Sequence, residues 1–368
     1  MQVNEYVLKN PDTLETPVML VFQDQLEHNI ASIIKVTGGP DRVVPHFKTH
    51  KSKEVLKQCL AAGIQSYKCA TLREAEVLAE GGARQILIAY PMLHPQKLNR
   101  LMELMSTHSD IDFRIIFSHK AHVDAVAPLL NKHNKEIVAY IDLDTGMHRT
   151  GAQPGTEAIE LYLAASRTPR ISVVGTHLFD GHTSYQPDVA IRTDSVKQSL
   201  DHIHNLWEEV AKQGCPASDN VIGGSWSFHL YKDEPTIRMS PGTFIYWDHM
   251  NAMIPELPFK VAGVVLGQVI DRNVDKDTLT VDIGSKAITD DLEMKNRFKV
   301  AGNANISLVS QSEEHGVITR SDSDLRLGDF IFALPGHACT TTTKYPEALV
   351  IDQAGNVTHS YKHDARDR

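Results

Sequence analysis

The most constraining feature of the sequence is a regular alternation between short apolar runs and longer amphipathic stretches, from about residue 17 to about residue 240. The short runs are rich in β-branched residues, which is typical of buried strands, and the longer stretches carry apolar residues at helical spacing. Strands that alternate with helices predict a parallel sheet covered by helices. Eight or so such units over about 230 residues predict a (β/α)8 TIM barrel, for which about 250 residues is typical. A doubly wound parallel sheet is the alternative.

The hydrophobic period and the turn residues between the runs place the individual elements. The predicted strands of this part of the chain lie at residues 18–22, 42–47, 66–70, 85–90, 113–117, 137–142, 171–177, 220–223 and 237–240. The predicted helices lie at residues 52–62, 72–80, 96–105, 120–133, 157–167 and 195–212.

The pattern changes after about residue 255, where strand-like runs are separated by turns and no long helix is predicted. These runs lie at residues 260–270, 278–282, 316–318, 329–333 and 348–352. They predict a smaller β domain. We therefore expect a barrel over residues 17–250 and a C-terminal β domain over residues 255–368, to which residues 1–16 can also belong.

Charge and composition exclude several classes of protein. The 37 basic and 46 acidic residues give a net charge of −9, without a basic run that could follow a phosphate backbone, which argues against a nucleic-acid partner. The N-terminus lacks the basic-then-apolar order of a signal peptide, and no apolar stretch approaches the roughly 20 residues of a membrane span. The four cysteines form no CxxC pair, which predicts reduced thiols. We expect a cytoplasmic protein with a small-molecule substrate and no membrane partner.

The run PHFKTHK contains the first candidate catalytic residues. It follows an apolar run and precedes a helical pattern, so it is expected at the C-terminal end of a barrel strand, where barrel active sites lie. Strand alternation would place His46, Lys48 and His50 on one face. A lysine that is partly buried between two histidines has a lowered pKa, as Schiff-base chemistry requires. A solvated basic loop is the alternative, because Lys51 and Lys53 follow closely.

Three further predicted strand ends carry glycines. The run DTGMHRTG combines two glycines with Arg149, which can hold an anionic or aromatic group, although such a loop can also be a simple turn. The runs IGGSWSF and SPGTF offer the pairs Gly224 and Ser225, and Gly242 and Thr243. Glycine loops after the late strands of a barrel are where this fold binds phosphate. Tight turns are the alternative.

Histidines and a cysteine complete the set of candidate residues. The run HLFDGHTSY places His182 at another strand end, where a surface histidine is the alternative. The run ALPGHACTT places His337 and Cys339 two residues apart, in a segment that we expect to be extended. Imidazole and thiolate are soft ligands suited to zinc, and two protein ligands leave positions open for water and substrate. Spacing alone does not distinguish a metal site from chance.

A family resemblance runs through these motifs and along nearly the whole chain. The run PHFKTHK resembles the cofactor-binding lysine motif of the D-threonine aldolase and eukaryotic-type D-serine dehydratase family, and the runs DLDTGMHRTG, THLFDGH, GGSWSF, SPGTFIYWD and LGDFIFALPGHACTT follow in the same order. The resemblance implies the alanine racemase-like fold, an N-terminal (β/α)8 barrel followed by a C-terminal β domain. It also implies a homodimer.

The resemblance assigns roles to the candidate residues. It implies that Lys48 binds pyridoxal 5'-phosphate covalently and that Arg149 lies beside the cofactor. The loops at Gly224 and Ser225 and at Gly242 and Thr243 would bind its phosphate, and His337 and Cys339 would hold a divalent metal. Two departures matter. Phe179 stands where many relatives have Tyr, and Cys339 is the dehydratase-type residue where typical aldolases have Asp.

These roles predict a lyase that acts on D-β-hydroxy amino acids. We expect a D-serine dehydratase-like elimination to a 2-oxo acid and ammonia, with Lys48 as the base and zinc favoured over manganese. The alternative is retro-aldol cleavage to glycine and an aldehyde, in which His50 or His182 could take the hydroxyl proton. An amino-acid racemase and a non-catalytic carrier of pyridoxal phosphate are less favoured.

Overall fold

The computed structural model describes residues 1–320 and 323–368, and the chain divides into two compact units. One unit, called the barrel unit here, contains residues 33–48, 56–242 and 367–368. The other, called the β unit, contains Met1–Ser32, Thr49–Val55 and Thr243–Arg366.

Helices and strands are numbered along the described part of the chain. The α-helices α1 to α8 span Gln23–Thr37, Lys53–Ala61, Leu72–Gly81, Pro95–Thr107, Lys120–His133, Thr156–Ser166, Val189–Lys212 and Ala338–Thr342. The strands β1 to β18 span Gln2–Val3, Tyr6–Val7, Val18–Phe22, Ser66–Cys69, Gln85–Ile88, Asp112–Phe117, Ile137–Leu143, Ile171–Leu178, Asn220–Ile222, Ile237–Met239, Gly263–Asn273, Thr278–Val281, Phe298–Val300, Leu308–Gln311, Gly316–Thr319, Phe330–Pro335, Glu347–Ile351 and Val357–Lys362. No helix in these described ranges is long and apolar enough to cross a bilayer.

The barrel unit is built on seven parallel strands in the order β10-β9-β8-β7-β6-β5-β4. Residues 43–46 close this sheet, because Val43 pairs with Met239 of β10 and His46 pairs with Lys68 of β4, both in parallel. The Val44 N–H donates to the Met239 carbonyl at 2.8 Å. The strand order and the closure confirm the predicted (β/α)8 barrel.

The closing segment differs from the predicted strand at residues 42–47. Pro45 has no N–H to donate to a ladder, so the pairing is reduced to single bridges on either side of it. Phe47–Thr49 then forms a single 3₁₀ turn. The strand alternation expected for His46, Lys48 and His50 was therefore wrong.

The predicted strand at residues 18–22 forms, but outside the barrel. As β3, Val18–Phe22 lies in the nine-stranded sheet of the β unit, antiparallel to β11 and parallel to β17. The helix that follows it, Gln23–Thr37, produces the same local pattern as a barrel βα unit. Local pattern cannot reveal the partners of a strand, and this explains the wrong assignment to the barrel.

The sheet of the β unit runs in the order β14-β15-β12-β11-β3-β17-β18, and off this path β16 pairs with β11 and β13 pairs with β16. Four of the five residues of β3 are buried, as expected for a central strand. Tyr6, Phe22 and Phe332 pack their rings together, with centroids 4.9–5.7 Å apart. This sheet confirms the β character predicted for the C-terminal part of the chain.

The barrel interior, called the lumen here, contains an apolar layer and a polar layer. The apolar layer is a buried cluster of Val44, Leu87, Ile116, Tyr140 and Val221. The polar layer lies towards the N-terminal ends of the strands, where the Tyr140 hydroxyl donates to Asp219 at 2.9 Å. Tyr140 thus belongs to both layers.

Asp219 is the centre of the polar layer. It accepts hydrogen bonds from Arg238 at 2.8 Å on both carboxylate oxygens and from Arg114 at 2.6 Å. Arg238 also donates to Gln85 and Ser66, on two neighbouring strands. Burial alone would raise the pKa of Asp219, but the two guanidinium groups lower it. The network therefore links four strand ends through one carboxylate.

We predict that Asp219→Asn lowers the free energy of unfolding by roughly 3 kcal/mol, because it removes the carboxylate that pairs with the mostly buried Arg238 and leaves Arg114 with Asp112 alone. A carboxyl group with a lowered pKa in the folded state stabilises the fold above its ordinary pKa of about 4, and this stabilisation is lost as the pH falls. Denaturant unfolding should therefore show that the free energy of unfolding differs more between the wild type and Asp219→Asn at pH 7 than at pH 3.

The matched control is Asp110→Asn, at an exposed position. It should change the free energy of unfolding by less than about 0.5 kcal/mol. An Asp219→Asn protein as stable as the control at pH 7 would show that the network contributes no net stability.

Candidate active site

Lys48 lies in the 3₁₀ turn directly after the segment that closes the barrel. Its own N–H donates to Nδ1 of His46 at 3.2 Å, and the His46 N–H donates to the Pro241 carbonyl at 3.0 Å. The closure therefore fixes the backbone of Lys48 at the C-terminal end of the barrel strands, as the sequence predicts. This is the end where barrel enzymes hold their catalytic groups.

The Phe179 ring lies between two cations. Nζ of Lys48 is 5.6 Å from the ring centroid, and Cζ of Arg149 is 4.9 Å from it. Phe179 follows β8 directly, and Gly181 and Gly224 leave room for its ring, since a Cβ on either would approach it to 2.5 and 3.1 Å. The aromatic ring thus brings Lys48 and Arg149, predicted from separate motifs, to one place.

Asp144 shapes the loop that carries Arg149. Its Oδ1 accepts the N–H groups of Gly146 at 3.0 Å and His148 at 2.9 Å. The loop closes at Gly151, whose φ of +116° and approach to the Asp144 backbone admit no side chain. The two glycines of DTGMHRTG therefore serve the geometry of the loop.

Asp142 and His177 are buried on neighbouring strands and face the same lumen. Nδ1 of His177 on β8 is 2.6 Å from Oδ1 of Asp142 on β7. The other atoms of this pair, Nε2 of His177 and Oδ2 of Asp142, are buried without a hydrogen-bond partner among the described residues. Burial lowers the pKa of His177, and the bond to Asp142 offsets this only in part. Buried polar atoms without partners are rare in proteins, so this pair fits a site that receives a polar ligand.

Lys68 on β4 faces the same group of residues and was missed by sequence reasoning. It is 2 % exposed, and its charged neighbours include Lys48, Asp142, Asp180 and Arg149. Burial, then the charge of Lys48, lowers the pKa of Lys68 to about 7. Its lumen position could have been found from the alternation of SYKC, in which Lys68 shares a face with Ser66.

The loop at Gly224 is held by Asp180. The Gly224 N–H donates to Oδ1 of Asp180 at 2.8 Å, and the Ser227 hydroxyl donates to the same atom at 2.7 Å. Tyr231 donates to the second oxygen at 2.9 Å. The Gly224 N–H is thus engaged inside the protein. Gly224 therefore helps to shape the loop that carries Ser225.

The remaining barrel candidates lie at different depths. Gly242 is buried at the end of the barrel unit, and Thr243 begins the 3₁₀ turn Thr243–Ile245 of the β unit. His182 is exposed, and its Nε2 is 2.8 Å from the Ser195 hydroxyl. The structure does not bring His182 into the buried group around Lys68.

The residues that follow Lys48 in the chain belong to the β unit. The Thr49 hydroxyl is 3.1 Å from Sγ of Cys339. His50 is buried, and burial, with His363 and Lys51 nearby, lowers its pKa to about 3. Nζ of Lys51 donates to the Ala365 carbonyl at 3.1 Å. Lys51 thus has a structural partner, which argues against the solvated basic loop.

His337 and Cys339 meet in the β unit, although their segment is not extended. Only His337 has extended backbone, and Ala338–Thr342 forms a short helix whose first N–H donates to the buried Asp248 at 3.0 Å. This bond to a residue distant in sequence explains why the expectation of an extended segment was wrong. The Cys339 thiol nevertheless lies near enough to the His337 ring to raise its pKa.

Asp291 orients the His337 ring. Its Oδ2 is 2.7 Å from Nδ1 of His337, which leaves Nε2 as the nitrogen that a metal would use. Burial alone would lower the pKa of His337, but Asp291 and the Cys339 thiol raise it to about 11. A carboxylate on the second nitrogen of a histidine is the usual support of a metal-binding imidazole. The sequence signal for Asp291 was weak, because it lies 46 residues away.

The donor set fits a metal with open coordination positions. Among residues 1–320 and 323–368, no group of three His, Cys, Asp or Glu side chains is arranged to hold a metal. A closed structural site needs four ligands, whereas catalytic sites keep positions open. His337 and Cys339 therefore fit the second kind, with Asp291 as their support.

Comparison with known proteins agrees with this architecture. The model of the alanine racemase N-terminal domain matches residues 21–249, and that of a serine dehydratase domain matches residues 262–351. A D-threo-3-hydroxyaspartate dehydratase of Delftia is 25 % identical over 94 % of this chain and 96 % of its own length. A cysteine-to-alanine mutant of that dehydratase has been solved in a metal-free form.

Two further comparisons cover nearly the whole chain. A 3-hydroxy-D-aspartate aldolase of Paracoccus denitrificans is 23 % identical over 96 % of this chain and 92 % of its own. The solved D-threonine aldolase of Filomicrobium marinum superimposes with a TM-score of 0.88 over 96 % of both chains, at 21 % identity. The alanine racemase N-terminal domain covers more than half of this chain, and the serine dehydratase domain matches its C-terminal part. This chain therefore belongs to the alanine racemase-like family and carries the serine dehydratase type of C-terminal domain.

Proposed function

We propose that this chain is a pyridoxal-phosphate- and divalent-metal-dependent lyase that converts D-β-hydroxy amino acids to 2-oxo acids and ammonia. The observation that carries the proposal is the lumen near Lys48, which stands at the C-terminal ends of the strands. Buried polar atoms of His177 and Asp142 there have no partner within residues 1–320 and 323–368. The relatives named above, a dehydratase and aldolases of hydroxy amino acids, support the same substrate class.

Lys48 has two tasks in this proposal. Its Nζ holds the cofactor and, once the substrate amine has displaced it, takes the proton from the substrate α-carbon. When bound, pyridoxal phosphate supplies an electron sink at that carbon, and the metal supplies Lewis-acid assistance to the departing hydroxyl. Phe179 contacts both Lys48 and Arg149. Arg149 is a proposed cofactor-binding residue, and Ser225, Gly242 and Thr243 are the proposed phosphate ligands.

His337 and Cys339 are the proposed metal ligands, and the thiolate favours zinc over manganese. The bond from Asp291 holds the His337 ring in one orientation. Zinc accepts four or five ligands and takes no part in redox chemistry, so two positions or more stay open for water and substrate.

Retro-aldol cleavage is the second candidate, and His50 bears on the choice. This reaction needs a base for the hydroxyl proton. His50 is neutral at pH 7, but a pKa of about 3 makes it a weak base. His182 is exposed and bonded to Ser195. Both observations favour dehydration.

We predict that borohydride reduction of the cofactor-loaded protein leaves the cofactor on Lys48, as peptide mapping by mass spectrometry will show. Lys48→Ala should lose turnover entirely, because Nζ of Lys48 both holds the cofactor and moves the proton.

The control for this prediction is Lys57→Ala, at an exposed position of α2, which should keep full activity. An adduct on Lys51 or Lys53, or the absence of any adduct, would overturn the assignment of Lys48.

We predict that His337→Ala and Cys339→Ala each lower the bound zinc from about one per chain to nearly none. Each should reduce turnover by at least about 100-fold, because loss of a residue that only supports a metal ligand already costs roughly 10- to 100-fold. The cofactor absorption should stay nearly unchanged, since the metal acts on the leaving group. Metal analysis and absorption spectra measure the two effects separately. Cys215→Ala, a cysteine outside this group, is the control. Full activity after EDTA treatment would contradict the metal role.

The products decide between the two reactions. Zinc-loaded protein incubated with D-serine, D-threonine or 3-hydroxy-D-aspartate should release 2-oxo acid and ammonia in equal amounts. Stoichiometric glycine and aldehyde without ammonia would show that the reaction is retro-aldol cleavage and not dehydration.

We further propose that the protein is a homodimer in the cytoplasm, as the resemblance implies. Light scattering would measure the mass of the assembly.

A further inference from the structure

Lys68 is a buried lysine that neither the fold nor the proposed reaction uses. It lies on β4, two residues after Ser66, whose hydroxyl accepts from Arg238 inside the barrel at 3.2 Å. Strand alternation therefore directs Lys68 into the lumen. Its N–H donates to the Pro45 carbonyl at 2.9 Å, which ties its backbone to the segment that closes the barrel.

The ammonium group of Lys68 makes no hydrogen bond or ion pair with any residue in the described ranges, although the residue is 2 % exposed. The charged groups that face it are Lys48 and Arg149, which repel it, and Asp142 and Asp180, which attract it from a distance. Both oxygens of Asp180 accept bonds from the Gly224 loop and Tyr231.

The neighbouring acid and histidine offer Lys68 no bond either. Oδ1 of Asp142 is bonded to His177, and its Oδ2 has no hydrogen-bond partner in the described part of the chain. The charged groups near His177 are Asp142, Lys68 and Arg149. Lys68 is thus a cation without a direct partner, beside the lysine proposed to hold the cofactor.

Such a residue destabilises the protein in which it stands. Taking an ammonium group out of water costs free energy that only a close counter-charge returns. Burial, and then the charge of Lys48, lowers the pKa of Lys68 to about 7, so part of the cost is avoided by loss of the proton. A methionine of similar length would fill the same space without this cost. The amine therefore fits a role towards a ligand better than a role in folding.

We propose that Lys68 is a binding residue of the lumen, whose amine receives an anionic oxygen of the molecule seated beside Lys48. The inference rests on the proposed function, because it takes that molecule to be the cofactor or a substrate attached to it. The oxygen has two possible sources. It belongs either to the cofactor itself or to a second carboxylate of the substrate. 3-Hydroxy-D-aspartate has such a second carboxylate, and D-serine does not.

The test compares Lys68→Met with the wild type and with Lys57→Met, an exposed control on α2. The ligand-free Lys68→Met protein should unfold at a higher temperature than both, because a buried amine without a partner has been removed. Titration of ligand-free protein with pyridoxal phosphate, followed by absorbance, tests the first source. Steady-state kinetics on 3-hydroxy-D-aspartate and D-serine test the second.

Each source has its own expected result. If the oxygen belongs to the cofactor, Lys68→Met should weaken binding of pyridoxal phosphate at least about tenfold. If it belongs to the substrate, cofactor affinity should stay unchanged while the KM for 3-hydroxy-D-aspartate rises at least about tenfold more than the KM for D-serine. Lys68→Arg, which keeps the cation, should recover part of either loss. Lys68→Gln carries the same expectations as Lys68→Met if the methionine variant does not fold.

A Lys68→Met protein within twofold of wild type in cofactor affinity and in both KM values overturns the inference, even if its unfolding temperature rises. Wild-type protein that binds no pyridoxal phosphate at Lys48 overturns the proposed function and, with it, this inference. The two failures are therefore distinguished by the titration of the wild type alone.

Discussion

The closure of the barrel by residues 43–46 is the constraint on which the rest of the barrel unit depends. Single backbone bonds join this segment to β10 on one side and to β4 on the other. Pro45 prevents a longer ladder, and the chain leaves the sheet at once into the turn that contains Lys48. The same bonds place Lys68 in the lumen, because its N–H is the partner of the Pro45 carbonyl. A single irregular strand thus sets the position of two amines.

Charge is buried in the barrel in two different ways. At the N-terminal ends of the strands, Asp219 is fully bonded to Arg114 and Arg238, and the network links neighbouring strands. Near the opposite ends, His177 and Asp142 retain buried atoms without partners among the residues that the structure describes, and Lys68 has no direct partner among them either. Buried polar groups without partners oppose folding. Their concentration around Lys48, and the satisfied network elsewhere, is the arrangement expected of a scaffold that stabilises one end and keeps the other for a ligand.

The β unit builds its site from residues that are distant in sequence. The short helix after His337 begins on the buried Asp248, and the ring of His337 is held by Asp291. Neither carboxylate belongs to the HxC motif. The motif therefore supplies the two proposed metal ligands, while the surrounding unit supplies the orientation of the His337 ring. The thiol of Cys339, 3.1 Å from the Thr49 hydroxyl, is fixed in the same manner.

The sequence by itself determined the fold class, the order of most elements and the candidate residues around Lys48, because hydrophobic period, glycine turns and the motif around Lys48 are local properties. Tertiary structure alone decided that Val18–Phe22 pairs in the β unit, since a strand carries no local record of its partners. Tertiary structure alone also decided which buried charged groups have a counter-charge or a hydrogen-bond partner. Lys68, Asp142 and Asp291 acquire their importance from neighbours 20 to more than 100 residues away, and burial and partnership of a charge are set by packing rather than by local sequence.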